Sequence, residues 1–179
     1  MLDSLFSLMR EYDFTYDDVE NAEVDQSFLS IVMLYEEPDD DLKGKFSAKY
    51  NVAAALVDGE VSVDTFSQEK IDDPKIQEAM GKVRNRVMAK AEEGLADHGP
   101  GLPIRITLKD GRVIEHRTAR GDILGAYGNP WGIENIKNKF KQNAGLALSS
   151  ERVDQTMDTW LDIGQVADLA ENIRKTLVR

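Results

Sequence analysis

Residues 44–50, Gly-Lys-Phe-Ser-Ala-Lys-Tyr, bring together side chains that could bind an anion. Lys45 and Lys49 are four residues apart, so they share one face if a helix begins early in this segment. Ser47 can cap that helix, and the free N–H groups at a helix N-terminus favour a negatively charged ligand. With the neighbouring hydroxyl of Tyr50, these residues predict a binding site for a carboxylate group.

A purely structural explanation of the same segment stays open. In that explanation both lysines are solvated and Ser47 serves only as the cap of the following helix. The apolar run at residues 52–57, Val-Ala-Ala-Ala-Leu-Val, indicates that this helix is buried, with Gly59 as its C-terminal stop. Both explanations therefore place Ser47 at the start of a buried helix.

The other motifs give weaker indications of chemistry. His98 and His116 are the only histidines, and neither has further ligands at the spacing of a metal site. The acidic stretch at residues 36–42 lacks the ligand spacing and the glycine of an EF-hand loop. Residues 120–128, with three glycines and an Arg-Gly-Asp tripeptide, lack the context of a nucleotide-binding loop and indicate a turn and a connector. We therefore expect no metal and no cofactor.

Composition limits the classes of partner. The chain has 179 residues, a formal net charge of −11 and no cysteine. This acidic balance, with basic residues scattered among carboxylates, argues against nucleic-acid binding. No apolar run reaches the roughly 20 residues of a membrane span, and the first residues lack the basic region of a secretion signal. Since the lack of cysteine fits a reducing compartment, we expect a cytoplasmic protein without a membrane partner.

Hydrophobic periodicity predicts the elements that position these residues. An amphipathic helix runs from Leu2 to Met9, and apolar residues on both faces of residues 28–35 indicate a strand buried on both sides. Asp73 and Pro74 open another short helix. Asp110-Gly111 predicts a hairpin with a type I′ turn, and residues 90–103 are typical of a loop. The order of elements predicts an α+β fold, with helices packed on an antiparallel sheet.

From about residue 130 onwards the pattern is helical throughout. Three apolar stripes occur, at residues 133–140, 153–161 and 166–177. We therefore expect a single domain at residues 1–179, with an α+β core at about 13–125 and closing helices at about 130–179.

Residues 42–83 resemble the MmgE/PrpD family, which includes 2-methylcitrate dehydratases and cis-aconitate decarboxylases. The family pattern is an Ala/Gly-Lys-Phe-Ser block, a tyrosine, a Val-Ala-x-Ala-Leu run, a glycine, a phenylalanine and an Asp-Pro turn. In this sequence these are Gly44 to Ser47, Tyr50, Val52 to Leu56, Gly59, Phe66 and Asp73-Pro74. The stretches at residues 14–24, 106–113 and 128–145 are also similar to the family, so the resemblance covers nearly the whole chain.

The resemblance implies the C-terminal portion of a larger enzyme. Family members have a large helical N-terminal domain and a smaller α+β domain, often described as a lid over the active site. The implied reaction is that of a lyase or isomerase acting on a small di- or tricarboxylate, with Lys45, Ser47, Lys49 and Tyr50 helping to hold carboxylates. The catalytic aspartate, histidines and lysines that lie upstream of the lid in the family have no counterpart here. Some members also use a tyrosine ahead of the proline that corresponds to Pro38, but Val32 or Met33 occupies that register.

We therefore assign no catalytic residue to this chain and expect it to be inactive alone. An alternative is a stand-alone, non-catalytic binding or assembly module derived from the lid. In either case the apolar stripes of the last three helices need covering. We expect a homo-oligomer, most simply the homodimer usual in the family, or a complex with a helical-domain partner chain.

Overall fold

The computed structural model describes residues 1–26, 35–87 and 103–177. The chain divides into two compact units, Met1–Asn129 and Pro130–Arg179. This boundary lies close to the predicted start of the closing helices. That both units belong to one domain stays a prediction.

The first unit combines five helices with a four-stranded sheet in its described part. The helices are α1 (Leu2–Tyr12), α2 (Asp41–Lys45), α3 (Ala48–Asp58), α4 (Gln68–Ile71) and α5 (Pro74–Lys82). The strands are β1 (Val19–Gln26), β2 (Val83–Val87), β3 (Ile104–Leu108) and β4 (Val113–His116). They lie in the order β2-β1-β3-β4. The predicted α+β class is confirmed.

The sheet is mixed, which corrects the expectation of a purely antiparallel one. β3 pairs antiparallel with both β1 and β4, but β2 pairs parallel with β1, with Ala22 opposite Val83. A parallel pair needs a long crossover connection, and α2 to α5 lie in the chain between these two strands. The sequence conceals β2 because three polar residues, Arg84 to Arg86, fill its centre.

Helix α3 is buried around most of its circumference. Residues 50–56 are all buried, and the helix contacts α1, α2, α5 and β2. A helix that is apolar on every side must be covered on every side, which explains the Val-Ala-Ala-Ala-Leu run. Gly59 ends the helix with a positive φ of 75°, as predicted.

Other predicted elements are refined or lie outside the described residues. The hairpin between β3 and β4 is confirmed, but Gly111 is the only residue of its turn with a positive φ. A type I′ turn needs positive φ at both central residues, so the predicted turn type is wrong. The predicted strand at residues 28–35 and the predicted loop at 90–103, with His98, lie almost wholly outside the described residues.

The second unit contains three helices in its described part. They are α6 (Ile133–Gly145), α7 (Ser150–Leu161) and α8 (Leu169–Leu177). α6 packs on α7 and α7 packs on α8. Lys141 pairs with Asp154 at 2.9 Å, and the Arg152 guanidinium donates to the Lys175 carbonyl oxygen at 3.1 Å. The predicted stripes form these helices, except that Val166 precedes α8.

Candidate functional site

Residues 44–50 form the tight connection between α2 and α3. α2 ends at Lys45, and α3 begins three residues later at Ala48. The Phe46 N–H donates to the Lys43 carbonyl oxygen and the Ser47 N–H donates to the Gly44 carbonyl oxygen, both at 3.1 Å. These local bonds turn the chain sharply between the two helices.

Ser47 is fully buried at the start of α3, where its hydroxyl oxygen accepts from the Tyr50 N–H at 3.1 Å. The predicted cap is therefore confirmed. A buried cap satisfies a backbone donor that water cannot reach, so it contributes about 0.5–2 kcal/mol to stability.

Tyr50 is fully buried in the first turn of α3. Its hydroxyl donates to the Thr65 carbonyl oxygen at 2.5 Å, and its ring lies 6.3 Å from the ring of Phe66. Burial raises the pKa of the Tyr50 hydroxyl to about 12, with smaller contributions from Asp58 and Asp73. At neutral pH the phenol is therefore a neutral hydrogen-bond donor.

Gly44 lies where the turn packs tightly against other residues of the first unit. A Cβ atom at Gly44 would lie 2.6 Å from Cδ1 of Ile71, which is itself buried. The same Cβ would lie 3.5 Å from the ring of Phe66 and 3.6 Å from the ring of Tyr50. The first residue of the family block therefore packs against the phenylalanine and tyrosine of the same pattern.

The side chain of Asn51 is hydrogen-bonded to both ends of the turn, a role that the sequence patterns do not predict. Its side-chain amide donates to the Gly44 carbonyl oxygen at 3.0 Å and to the Ser47 carbonyl oxygen at 2.7 Å. One feature of the sequence does point to this role: Asn51 is a polar amide directly before the apolar run at residues 52–57, where a buried helix is expected. A buried amide must find hydrogen-bond partners, and the nearest candidates are the carbonyl groups of the preceding turn.

The two lysines lie outside this buried arrangement. Lys45 is exposed, its ammonium group lies 3.0 Å from the Asp41 carboxylate, and it lies 5.9 Å from the centre of the Phe66 ring. Lys49 is partly exposed and has no ion-pair partner among residues 1–26, 35–87 and 103–177. The structure thus brings Ser47 and Tyr50 into direct contact and leaves Lys45 and Lys49 at the surface beside them.

His116 ends β4 and lies far along the chain from this turn. It lines a cleft of the first unit that does not include Lys45, Ser47, Lys49 or Tyr50. Within the described residues, no three His, Cys, Asp or Glu side chains are grouped closely enough to hold a metal ion. None of the described helices has the length and apolar character to cross a membrane.

The α+β unit with its Gly-Lys-Phe-Ser turn defines the class of this chain. The sequence model of the MmgE/PrpD C-terminal domain matches residues 1–163, so the chain belongs to the MmgE/PrpD family. The chain is 28% identical over 126 residues to the cis-aconitate decarboxylase of Mus musculus, covering 65% of this chain and 23% of that protein. It is also 28% identical over 117 residues to the cis-aconitate decarboxylase of Homo sapiens, covering 63% of this chain and 22% of that protein. The chain therefore spans less than a quarter of the length of these curated relatives.

Proposed function

We propose that this chain is the C-terminal, lid portion of an MmgE/PrpD lyase or isomerase that acts on a small di- or tricarboxylate. The observation that carries the proposal is the match of the family's C-terminal domain to residues 1–163. The similarity to two proteins named cis-aconitate decarboxylase supports the substrate class. The proposed reaction is proton abstraction beside a carboxylate, with loss of water or carbon dioxide, and the base comes from the helical portion of the enzyme.

In this proposal the turn between α2 and α3 helps to hold the carboxylates of the substrate. Lys45 and Lys49 supply positive charge at the surface, and charge-assisted hydrogen bonds to carboxylates are the strong ones. Ser47 and Tyr50 are buried and hydrogen-bonded within the unit, so their part is to fix the backbone from which the lysines extend. A fixed charge placed where negative charge develops assists carbanion formation in a water-poor site.

The experiment is a turnover assay of the purified chain, alone and together with the helical portion of a family enzyme. We expect no release of carbon dioxide from cis-aconitate and no loss of water from 2-methylcitrate with the chain alone. Together with the helical portion, we expect one of these substrates to be consumed. If the chain alone turns over either substrate, the lid assignment is wrong. If the two portions form a complex that consumes neither, the non-catalytic module is favoured.

The proposal includes self-association or association with a helical partner. Seven large apolar side chains in the described part of the second unit are 39% to 55% exposed: Ile133, Ile136, Leu146, Leu161, Ile163, Leu169 and Ile173. Exposed apolar surface is typical of an interface when it forms a contiguous patch, and the regular spacing of these residues along the helices supports one. We expect a homodimer or a larger assembly by light scattering. A strict monomer at high protein concentration would contradict this part of the proposal.

A further inference from the structure

A cleft of about 380 Å³ opens in the first unit between α1, the end of β4 and the loop at residues 121–129. This volume is within the usual range for sites that hold small molecules. The cleft is separate from the α2–α3 turn, and the proposed lyase function makes no use of it. Its lining combines charged groups of both signs with two apolar side chains, Phe6 and Leu124.

Hydrogen bonds between distant parts of the chain fix one wall of the cleft. The hydroxyl groups of Ser4 and Thr118 lie 2.9 Å apart, and the Thr118 N–H donates to the Ser4 hydroxyl oxygen at 3.1 Å. Ser4 is fully buried, so these bonds are shielded from water. They attach α1 to the segment that follows β4, so these two elements form one fixed wall of the cleft.

The loop at residues 121–129, which forms the other wall, is stabilised by hydrogen bonds within the loop. The Asn129 side-chain amide donates to the Asp122 carbonyl oxygen at 2.9 Å, and the Gly125 N–H donates to the Asn129 carbonyl oxygen at 2.8 Å. Gly128 lies so close to Gly121 that a Cβ atom would stand 2.7 Å from the Gly121 carbonyl oxygen. The glycine at 128 thus allows a compact loop, which gives this wall of the cleft a defined shape.

Two guanidinium groups and two carboxylates line this cleft without pairing with one another. The cations are Arg10 and Arg117, and the anions are Asp3 and Asp122. In the described part of the chain, no ion pair joins either arginine to either aspartate. Opposite charges that face one small volume without meeting leave room for a ligand that carries both charges.

The arginines keep most of their hydrogen-bonding capacity. Among the described residues, Arg10 donates to the Ser7 hydroxyl oxygen at 3.2 Å, and Ser7 in turn donates to the Asp3 carbonyl oxygen at 2.8 Å. Arg117 makes a long contact of 3.5 Å with Glu115. Since a guanidinium has five N–H donors, each arginine can still bind a carboxylate in a bidentate manner, through two parallel hydrogen bonds.

We propose that this cleft binds a zwitterionic α-amino acid of moderate size with an apolar side chain. The ligand carboxylate pairs with Arg10 and Arg117, and its ammonium group pairs with Asp3 and Asp122. Phe6 and Leu124 contact the apolar side chain. A di- or tricarboxylate is disfavoured because it would bring negative charge against both aspartates, so this site is independent of the lyase proposal.

The experiment is a titration of the full chain with L-leucine, followed by calorimetry and by NMR shifts. We expect a dissociation constant of about 1 mM, as suits a ligand of this size in an open cleft. The matched probes are 4-methylpentanoate, which lacks the amine, and 3-methylbutylamine, which lacks the carboxylate. Each should bind at least about tenfold more weakly, since one charge-assisted pair is lost. No detectable binding of L-leucine, or equal affinity for all three probes, would overturn the proposal.

Variants of the cleft give a second, separate test. We expect Arg117→Ala and Asp122→Asn each to weaken L-leucine binding about tenfold or more. Arg112→Ala is the matched control, because Arg112 pairs with Asp110 at the hairpin turn and does not line the cleft. Circular dichroism of each variant checks that it folds. If folded variants of the cleft bind L-leucine as tightly as the Arg112→Ala control, the proposal is wrong.

Discussion

The side-chain amide of Asn51 donates to the Gly44 carbonyl oxygen at 3.0 Å, which joins the first turn of α3 back to the first residue of the motif. The same amide also donates to the Ser47 carbonyl oxygen at 2.7 Å. One buried side chain thus connects the end of α2 with the cap of α3. The position of Lys45, which lies between these two carbonyl groups in the chain, depends on this connection.

We predict that Asn51→Ala lowers the free energy of unfolding by about 1–3 kcal/mol, because two buried carbonyl groups each lose a hydrogen bond. The measurement is urea unfolding followed by circular dichroism. Lys49→Ala on the same helix is the control and should stay within about 0.5 kcal/mol of the unaltered chain, since Lys49 is partly exposed. Equal effects of the two substitutions would show that the amide does not hold the turn.

The contact between Gly44 and Ile71 predicts a coupled effect in a double-mutant cycle. In the unaltered chain, Gly44→Ala gains helix propensity but presses its Cβ against Cδ1 of Ile71. Ile71→Val removes that atom. We therefore expect Gly44→Ala to be at least about 1 kcal/mol more favourable in the Ile71→Val background. Additive changes in the free energy of unfolding would rule out the close contact.

The raised pKa of Tyr50 predicts a loss of stability at high pH. Its pKa is about 12 in the folded chain and 10 for an unperturbed tyrosine, so the folded state holds the proton more tightly. The stabilisation is fully present below pH 10, falls between about pH 10 and 12 as the unfolded chain ionises first, and is lost above that range. The pKa of Tyr16 is also raised, by burial and by its hydrogen bond to Glu78.

Comparison with Tyr50→Phe isolates this effect. The variant should be less stable at neutral pH, because the Thr65 carbonyl oxygen loses the hydroxyl donor, and its stability should fall less steeply above pH 10. The measurement is urea unfolding at a series of pH values. If the free energy of unfolding falls equally steeply with pH in both proteins, the titration does not belong to Tyr50.

Local signals in the sequence predict where helices begin. They do not predict features that depend on contacts between distant parts of the chain. Ser47 and Asp73 cap helices as predicted, because a cap needs only a backbone donor two or three residues away. β2 is missed because its pairing partner β1 lies far away in the chain and its central residues are polar. The roles of Gly44 and Asn51 are missed because they depend on Ile71 and on the path of the turn.

In the candidate site, too, the local sequence predicts some features, and others depend on packing. Residues 44–50 are part of the stretch that resembles the family, but burial separates the four candidate residues into two that anchor the turn and two that lie at the surface. Composition and spacing give no information on that separation, because Ser47, Lys49 and Tyr50 are close neighbours in sequence. We therefore propose that Lys45 and Lys49 contact the substrate, whereas Ser47 and Tyr50 stabilise the fold.

The most direct measurement is kcat/KM of the complete enzyme carrying Lys45→Ala, beside its free energy of unfolding. Lys45 is exposed and its pair with Asp41 is a surface ion pair, so the loss of stability should be within about 1 kcal/mol. We expect kcat/KM for the carboxylate substrate to fall about tenfold or more, because a charge-assisted bond is lost. Lys109→Ala, at the exposed hairpin turn, is the control and should leave both quantities unchanged. If Lys45→Ala and Lys109→Ala have the same kcat/KM, the turn does not hold the substrate and the proposed role of Lys45 is wrong.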